Sequence, residues 1–185
     1  MTPSEAAALI RAAVRPEGGR WADVGAGGGV FTRALAALLG PTGRVYALDR
    51  DPRAVRALGA LAPDGRSAPV TALAGDLGGP LPLPKELDGA VLANVLHFVA
   101  DAEQPAALAR VAAHLRPGGR LVVVEYEGRR PNRWVPFPVS LARFAEIAAD
   151  AALGAPELAG ERASAYGGTM YAAVAAVEDR RLTEE

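Results

Sequence analysis

The chain has 185 residues, a formal net charge of −1 and no cysteine. Half of its residues are hydrophobic and 22% are charged, which is typical of a globular protein with a substantial core. The charge balance argues against nucleic acid as the main partner, because phosphate binding needs an excess of basic residues. The lack of cysteine excludes disulfides, thiolate metal sites and thiol nucleophiles. We expect a single domain over residues 1–185 and no metal site.

Hydropathy predicts a cytoplasmic protein without membrane insertion. No apolar run reaches the length of a transmembrane helix, and the N-terminal segment lacks the basic start and apolar core of a signal peptide. Within residues 1–19 we expect an N-terminal helix, capped by Thr2 with Pro3 at its first position and ending at Val14. Residues 178–185 are expected to form a charged tail.

Strand and helix patterns alternate along most of the chain. Strands are predicted at residues 20–24, 44–48, 69–74, 88–94, 120–125, 157–163 and 169–177. Helices are predicted at residues 29–39, 52–61, 103–115 and 139–153, with Pro117-Gly118-Gly119 ending the third of these. Such alternation predicts an α/β fold with a mainly parallel sheet and helices on both faces.

A glycine-rich turn connects the first predicted strand to the helix that follows it. It has the pattern D-x-G-x-G-x-G, formed by Asp23, Gly25, Gly27 and Gly29. Glycine permits a tight turn and a close ligand, and the helix N-terminus beyond it offers unpaired N–H groups and a positive dipole end. The turn therefore predicts a site for a cofactor that carries adenosine.

The neighbouring residues narrow the choice of cofactor. A dinucleotide fingerprint needs a small residue where this chain has Val30. Asp49 ends the second strand and can accept hydrogen bonds from both hydroxyls of a ribose; as a helix cap it is a poorer candidate than Asp51. Asp76 ends the third strand, where it is either an acceptor for the exocyclic amine of adenine or an ordinary turn aspartate.

Five stretches in this order resemble class I S-adenosylmethionine-dependent methyltransferases, over nearly the whole chain. They are residues 23–29 (DVGAGGG), 47–49 (ALD), 75–77 (GDL), 88–97 (DGAVLANVLH) and 115–121 (LRPGGRL). Residues 81–84 (LPLP) are also similar to the group that includes the ubiquinone- and menaquinone-pathway enzymes. The resemblance implies a Rossmann-like three-layer sandwich with a seven-stranded, mostly parallel sheet and an antiparallel last strand.

The same resemblance implies how the cofactor S-adenosylmethionine would be held. The glycine turn would bind its methionine end, and Asp49 its ribose. Asp76 and the backbone amide of Leu77 would bind adenine. Asp23 and the backbone of Asn94 would lie near the methionine amino group.

The sequence indicates less about the methyl acceptor. His97 follows the fourth strand and is either a proton acceptor in the reaction or a loop histidine that packs locally. Tyr126, Arg129 and Trp134 come after the fifth strand, in a loop that could cover the acceptor, with arginines for an acidic one and Trp134 or Phe137 for an apolar one. A solvated arginine run is the alternative for Arg129.

Three functions stay open on the sequence alone. The first is methyl transfer to a small molecule, at a minimal site that a second copy of the chain in a homodimer would complete. The second is a non-catalytic S-adenosylmethionine-binding or regulatory module. The third, an NAD-dependent oxidoreductase, is disfavoured by Val30 and by Asp23. Cysteine-dependent cytosine and arsenite methylation are excluded, and Asn94 does not begin the motif of amino-group methyltransferases that act on nucleic acids.

Overall fold

A computed structural model describes residues 1–14 and 18–178. Within these ranges the strands are β1 (Arg20–Val24), β2 (Arg44–Asp49), β3 (Val70–Ala74), β4 (Leu87–Ala93), β5 (Leu115–Glu127), β6 (Glu157–Ala163) and β7 (Thr169–Ala176). The helices are α1 (Pro3–Ile10), α2 (Val30–Leu39), α3 (Pro52–Gly59), α4 (Gln104–Ala112) and α5 (Leu141–Asp150), and a short 3₁₀ turn, Leu96–Phe98, follows β4. Residues 179–185 of the expected tail lie outside the described residues.

The strands form one sheet in the order β3-β2-β1-β4-β5-β7-β6. β7 runs antiparallel to both β5 and β6, and the other neighbours are parallel. The predicted α/β Rossmann-like sandwich with one antiparallel strand is therefore confirmed. The strand order reverses between β1 and β4, and ligands of such sheets bind at the carboxyl ends of the strands beside this point.

Helices cover both faces of the sheet. α4 and α5 pack on one face through side chains such as Leu108 and Phe144, with Leu92 of β4 beneath them. On the other face α1 and α2 pack through Ile10 and Leu35 over Val91. Adjacent residues of β4 are thus buried on opposite faces, which explains why its sequence is continuously apolar.

The structure corrects two predicted boundaries. Thr2 and Glu5 form the expected reciprocal cap of α1, but the helix ends at Ile10 instead of Val14, and the chain continues as a turn around the Ile10 carbonyl. Pro117-Gly118-Gly119 does not stand between a helix and a strand. It bulges out inside β5, which begins at Leu115, because Gly118 adopts a φ of 69° that returns the chain to the sheet.

Trp21 and Gly89 form a tight contact across β1 and β4. They are paired neighbours, and the buried indole of Trp21 lies directly over the Gly89 backbone. A Cβ atom at Gly89 would also fall 2.7 Å from the carbonyl oxygen of Arg120 on β5. The centre of the sheet therefore tolerates only glycine at this position.

We expect Gly89→Ala to lower the free energy of unfolding by about 1–3 kcal/mol, because the added methyl overpacks the core. Gly59→Ala at the end of α3 is the matched control, since its Cβ would make only an ordinary 3.7 Å contact with Ala72. The control should be neutral or stabilising by up to about 1 kcal/mol. Urea unfolding measures both, and equal losses would contradict the tight contact.

Candidate active site

Two cavities open side by side at the carboxyl ends of the parallel strands. The first, of about 560 Å³, lies over β1 and β2 and the turns after β3 and β4. The second, of about 660 Å³, lies between the segment after β4, the end of β5 and the hairpin that joins β6 to β7. Asn94 and Phe98 line both cavities, so the two spaces share one wall.

Most of the residues predicted to bind the cofactor line the first cavity. These are Gly25, Gly27, Asp49, Asp76, Leu77 and Asn94. Asp23 and Gly29 are not among its lining residues: Asp23 is buried beneath the turn, and Gly29 caps α2 with a φ of 75°. The structure thus places six of the eight residues predicted to bind the cofactor around one cavity.

The backbone of the glycine turn is bonded within the protein. The amides of Gly25 and Ala26 donate to the Leu48 carbonyl at 2.8 and 3.0 Å, and the Gly29 amide donates to the Ala26 carbonyl at 2.8 Å. The Gly27 amide donates to Asp49 Oδ2 at 2.7 Å. These four amides precede α2, so the expectation of unpaired N–H groups at the helix N-terminus does not concern them. A pyrophosphate would find them occupied, which favours a cofactor without phosphates over a dinucleotide.

Gly25 lets this turn pack against the chain beyond β4. Its φ is 77°, and a Cβ there would fall 2.5 Å from Cγ2 of Val95. Val95 also lines the first cavity. The missing side chain at Gly25 therefore brings the carboxyl ends of β1 and β4 together at the shared wall.

Two aspartates also line the first cavity. Asp49 accepts the Gly27 amide with one oxygen and the Asp51 amide at 2.8 Å with the other. Asp76 accepts the Gly78 amide at 2.8 Å, and its other oxygen lies 3.7 Å from Nη1 of Arg50. Each carboxylate oxygen can accept more than one hydrogen bond. Both groups can therefore still receive ligand hydroxyl or amine groups.

Asp23 is a buried carboxyl beneath the glycine turn. Burial raises its pKa from 3.8 to about 6, and the negative charge of Asp49 acts in the same direction. The hydroxyl of Thr32 donates to its Oδ2 at 2.6 Å and opposes the rise. The structure therefore favours the neutral form of this side chain more strongly than water does.

His97 and Glu125 form a buried pair at the floor of the second cavity. Nδ1 of His97 lies 2.7 Å from Oε2 of Glu125, and the His97 backbone amide donates to Oε1 at 3.2 Å. Glu125 is fully buried, and His97 is 3% exposed. An ionised Glu125 would only accept hydrogen bonds, so that Nδ1 of His97 would be the donor of this contact. Nε2 has no hydrogen bond to any of the described residues.

Tyr126, Arg129 and Trp134 line the second cavity, as does His97. The Arg129 guanidinium stacks over the Tyr126 ring at 4.9 Å and donates to the carbonyls of Tyr166 and Gly167 at 2.8 and 2.9 Å. Arg129 is therefore not a member of a solvated run, and its Nε is buried without a hydrogen-bond partner among the described residues. It fastens the tip of the β6–β7 hairpin to the end of β5.

Sequence reasoning assigned no role to Glu125. Of the two aromatic residues considered for an apolar acceptor, Phe137 lines the first cavity and Trp134 lines the second. Glu125 follows the apolar run of residues 121–124 directly, and an acid at the end of a buried strand is the signal that would have marked it. Its partner, 28 residues away, could not be inferred locally.

Residues 22–119, more than half of the chain, match the model of a family described as a methyltransferase domain. The chain belongs to this methyltransferase family. It is an S-adenosylmethionine-dependent enzyme, and S-adenosylmethionine is its cofactor. The glycine turn and the two aspartates of the first cavity fit that cofactor. A comparison with curated proteins found no match.

Solved structures share the fold of this chain. A SAM-dependent methyltransferase from Aquifex aeolicus is 20% identical, with a TM-score of 0.71 over 96% of this chain and 99% of its own. TnmH is 25% identical with a TM-score of 0.67, and the mitomycin 7-O-methyltransferase MmcR is 21% identical with a TM-score of 0.70. The matches to TnmH and MmcR cover 94% of this chain and 53% of theirs.

Among residues 1–14 and 18–178, no group of three or more histidine, aspartate or glutamate side chains is arranged to hold a metal ion. No helix in these ranges is long and apolar enough to cross a membrane.

The raised pKa of Asp23 gives the apoprotein a specific pH dependence. The carboxyl ionises at its ordinary pKa when unfolded and at about 6 when folded. Relative to Asp23→Asn, wild-type stability should therefore fall as the pH rises from about 4 to 6 and stay constant above that. The full loss in the free energy of unfolding over this pH range, relative to Asp23→Asn, is about 3 kcal/mol. Urea unfolding of both proteins across this range measures it, and a difference independent of pH would contradict the buried charge.

Proposed function

We propose that the enzyme methylates a hydroxyl oxygen of a small molecule. The observation that carries the proposal is the wall shared by the two cavities. The first cavity has the residues for the cofactor, and the second has His97 on its floor. A methyl donor and its acceptor must meet in line, and two cavities that share Asn94 and Phe98 allow such a meeting.

We assign the cofactor contacts to the residues that line the first cavity. Asp49 would accept the ribose hydroxyls, and Asp76 with the Leu77 amide would bind adenine. Asn94 would contact the methionine end, since its Oδ1 is buried and has no partner in the described part of the chain. Asp23 would act from beneath the turn and Gly29 through the cap of α2. When bound, S-adenosylmethionine supplies a methyl group on a sulfonium sulfur, which needs alignment more than activation.

His97 would act as the general base for the acceptor hydroxyl. Glu125 fixes the proton on Nδ1 and the orientation of the ring, so the lone pair of Nε2 is available for the hydroxyl proton. Glu125 would also stabilise the imidazolium that forms. Tyr126, Arg129 and Trp134 would form the acceptor wall.

We also propose three further properties expected from the sequence, which concern the domain, the acceptor and a dimer. The chain would act as a single domain over residues 1–185, and its acceptor would be related to those of the ubiquinone- and menaquinone-pathway group. Residues 81–84, which carry that resemblance, bury Leu81 and Leu83 in the hydrophobic core. A second copy of the chain would complete the acceptor site, and analytical ultracentrifugation measures whether a dimer forms.

Asp49→Ala should weaken S-adenosylhomocysteine binding at least tenfold, because it removes the ribose acceptor and the anchor of the Gly27 amide. Asp51→Ala is the matched control. Asp51 caps α3 by accepting the Arg53 amide, so its loss should cost about 1 kcal/mol of stability without changing affinity. Isothermal titration calorimetry measures binding, and equal affinities for the two variants would contradict the assignment of Asp49.

His97→Ala should lower turnover by a factor of about 10² to 10⁴, the usual contribution of a general base. Affinity for S-adenosylhomocysteine should stay within a few-fold, because His97 lies outside the first cavity. His114→Ala is the control, since that ring contacts the Pro84 carbonyl away from both cavities. Unchanged turnover in His97→Ala would remove this residue from the mechanism.

A further inference from the structure

Aromatic side chains form much of the wall of the second cavity. Phe98, Tyr126, Trp134 and Tyr166 all line it, and Trp134 and Tyr166 are 67% and 80% exposed. Large aromatic side chains that converge on a concave site without covering one another are typical of ligand-binding surfaces. The volume of about 660 Å³ lies in the usual range of small-molecule binding sites.

The one arginine among the described residues that line this cavity is already hydrogen-bonded within the protein. Among the described residues that line it, Arg129 is the only arginine, and there is no lysine, aspartate or glutamate. The guanidinium of Arg129 is bonded to the β6–β7 hairpin. A carboxylate or phosphate on the acceptor would therefore compete with bonds that hold the cavity together.

A cationic acceptor is disfavoured for a different reason. Cations bind over the faces of aromatic rings, but two of these rings already carry a cation from the chain itself. Arg129 lies over Tyr126 at 4.9 Å, and Arg133 lies over Trp134 at 4.3 Å. The remaining exposed aromatic surface suits a neutral, flat ring that stacks or packs edge to face.

The base at the floor of the cavity favours a particular kind of hydroxyl. A phenol ionises near pH 10, whereas water and ordinary alcohols ionise near about 15.7. Proton transfer to an imidazole becomes more favourable as the hydroxyl becomes more acidic. A base of this kind is therefore better matched to a phenolic hydroxyl than to an aliphatic one.

We propose that the methyl acceptor is a neutral, planar aromatic compound whose phenolic hydroxyl lies at His97 and whose ring packs against Trp134 and Tyr166. The inference rests on the proposed function and names its substrate class. In the reaction the phenolic oxygen forms a bond to the methyl carbon, and the carbon–sulfur bond breaks with its electron pair left on sulfur. The phenolic proton passes to Nε2 of His97.

The two tryptophans of the chain allow a direct binding test. Trp21 is buried in the core and Trp134 is exposed at the cavity, so an aromatic ligand should quench only Trp134. In the presence of S-adenosylhomocysteine, 2-naphthol should quench the fluorescence saturably. The quenching should disappear in Trp134→Leu, where Trp21 is the only remaining tryptophan. Quenching that persists in this variant would overturn the assigned position.

Three analogues test the chemical class. We expect 2-naphthoate, 1-naphthylmethylammonium and saturated 2-decalol to bind at least tenfold more weakly than 2-naphthol, and methyl transfer to be detected only with 2-naphthol. Trp134→Leu should raise the KM for 2-naphthol at least fivefold and leave kcat within twofold, because His97 and Glu125 are untouched. Equal binding or faster methylation of any analogue would overturn the proposal.

The same measurements separate failure of the substrate class from failure of the proposed function. If S-adenosylhomocysteine binds and an aliphatic alcohol is methylated while 2-naphthol is not, hydroxyl methylation stands and the aromatic class is wrong. If no hydroxyl compound is methylated and an amine or carbon acceptor is, both proposals are wrong.

Discussion

The pairing of Glu125 with His97 is the constraint on which the active end of the structure depends. A fully buried carboxylate at the end of β5 is unfavourable unless hydrogen bonds compensate its lost hydration. His97 supplies two of them, from its ring and from its own backbone amide. This requirement draws the 3₁₀ turn after β4 down onto β5. It thereby places Phe98 at the wall between the two cavities.

Other strand-end carboxylates fix the surrounding loops in the same way. Asp49 at the end of β2 bonds the glycine turn after β1, and Glu127 at the end of β5 accepts the Leu141 amide at the start of α5. Each acid holds a backbone segment that comes from another part of the sheet edge. The cavity walls are therefore formed by loops, but each loop is bonded to a rigid strand. This attachment provides the precise positioning that an aligned methyl transfer needs.

Local sequence patterns were sufficient for the sheet and for six residues that line the first cavity. The glycine turn, the Asp51 cap and the apolar run of β4 each follow from neighbouring residues. The acceptor side depends on partners that are distant in sequence, 28 residues apart for His97 and Glu125 and 37 for Arg129 and Tyr166. The bulge in β5 was also missed, because Pro117-Gly118-Gly119 carries the same local signal whether it ends a helix or interrupts a strand.

The division of charge between the two cavities explains how one small domain can order two ligands. Asp49 and Asp76 give the first cavity negative charge, which suits a cofactor that carries a sulfonium and an ammonium group. The second cavity presents aromatic rings and an arginine that is already bonded. The proposed methyl transfer to a hydroxyl would remove a positive charge from sulfur and leave one on the base that takes the proton. If His97 is that base, the buried Glu125 beside it would supply the counter-charge for the imidazolium.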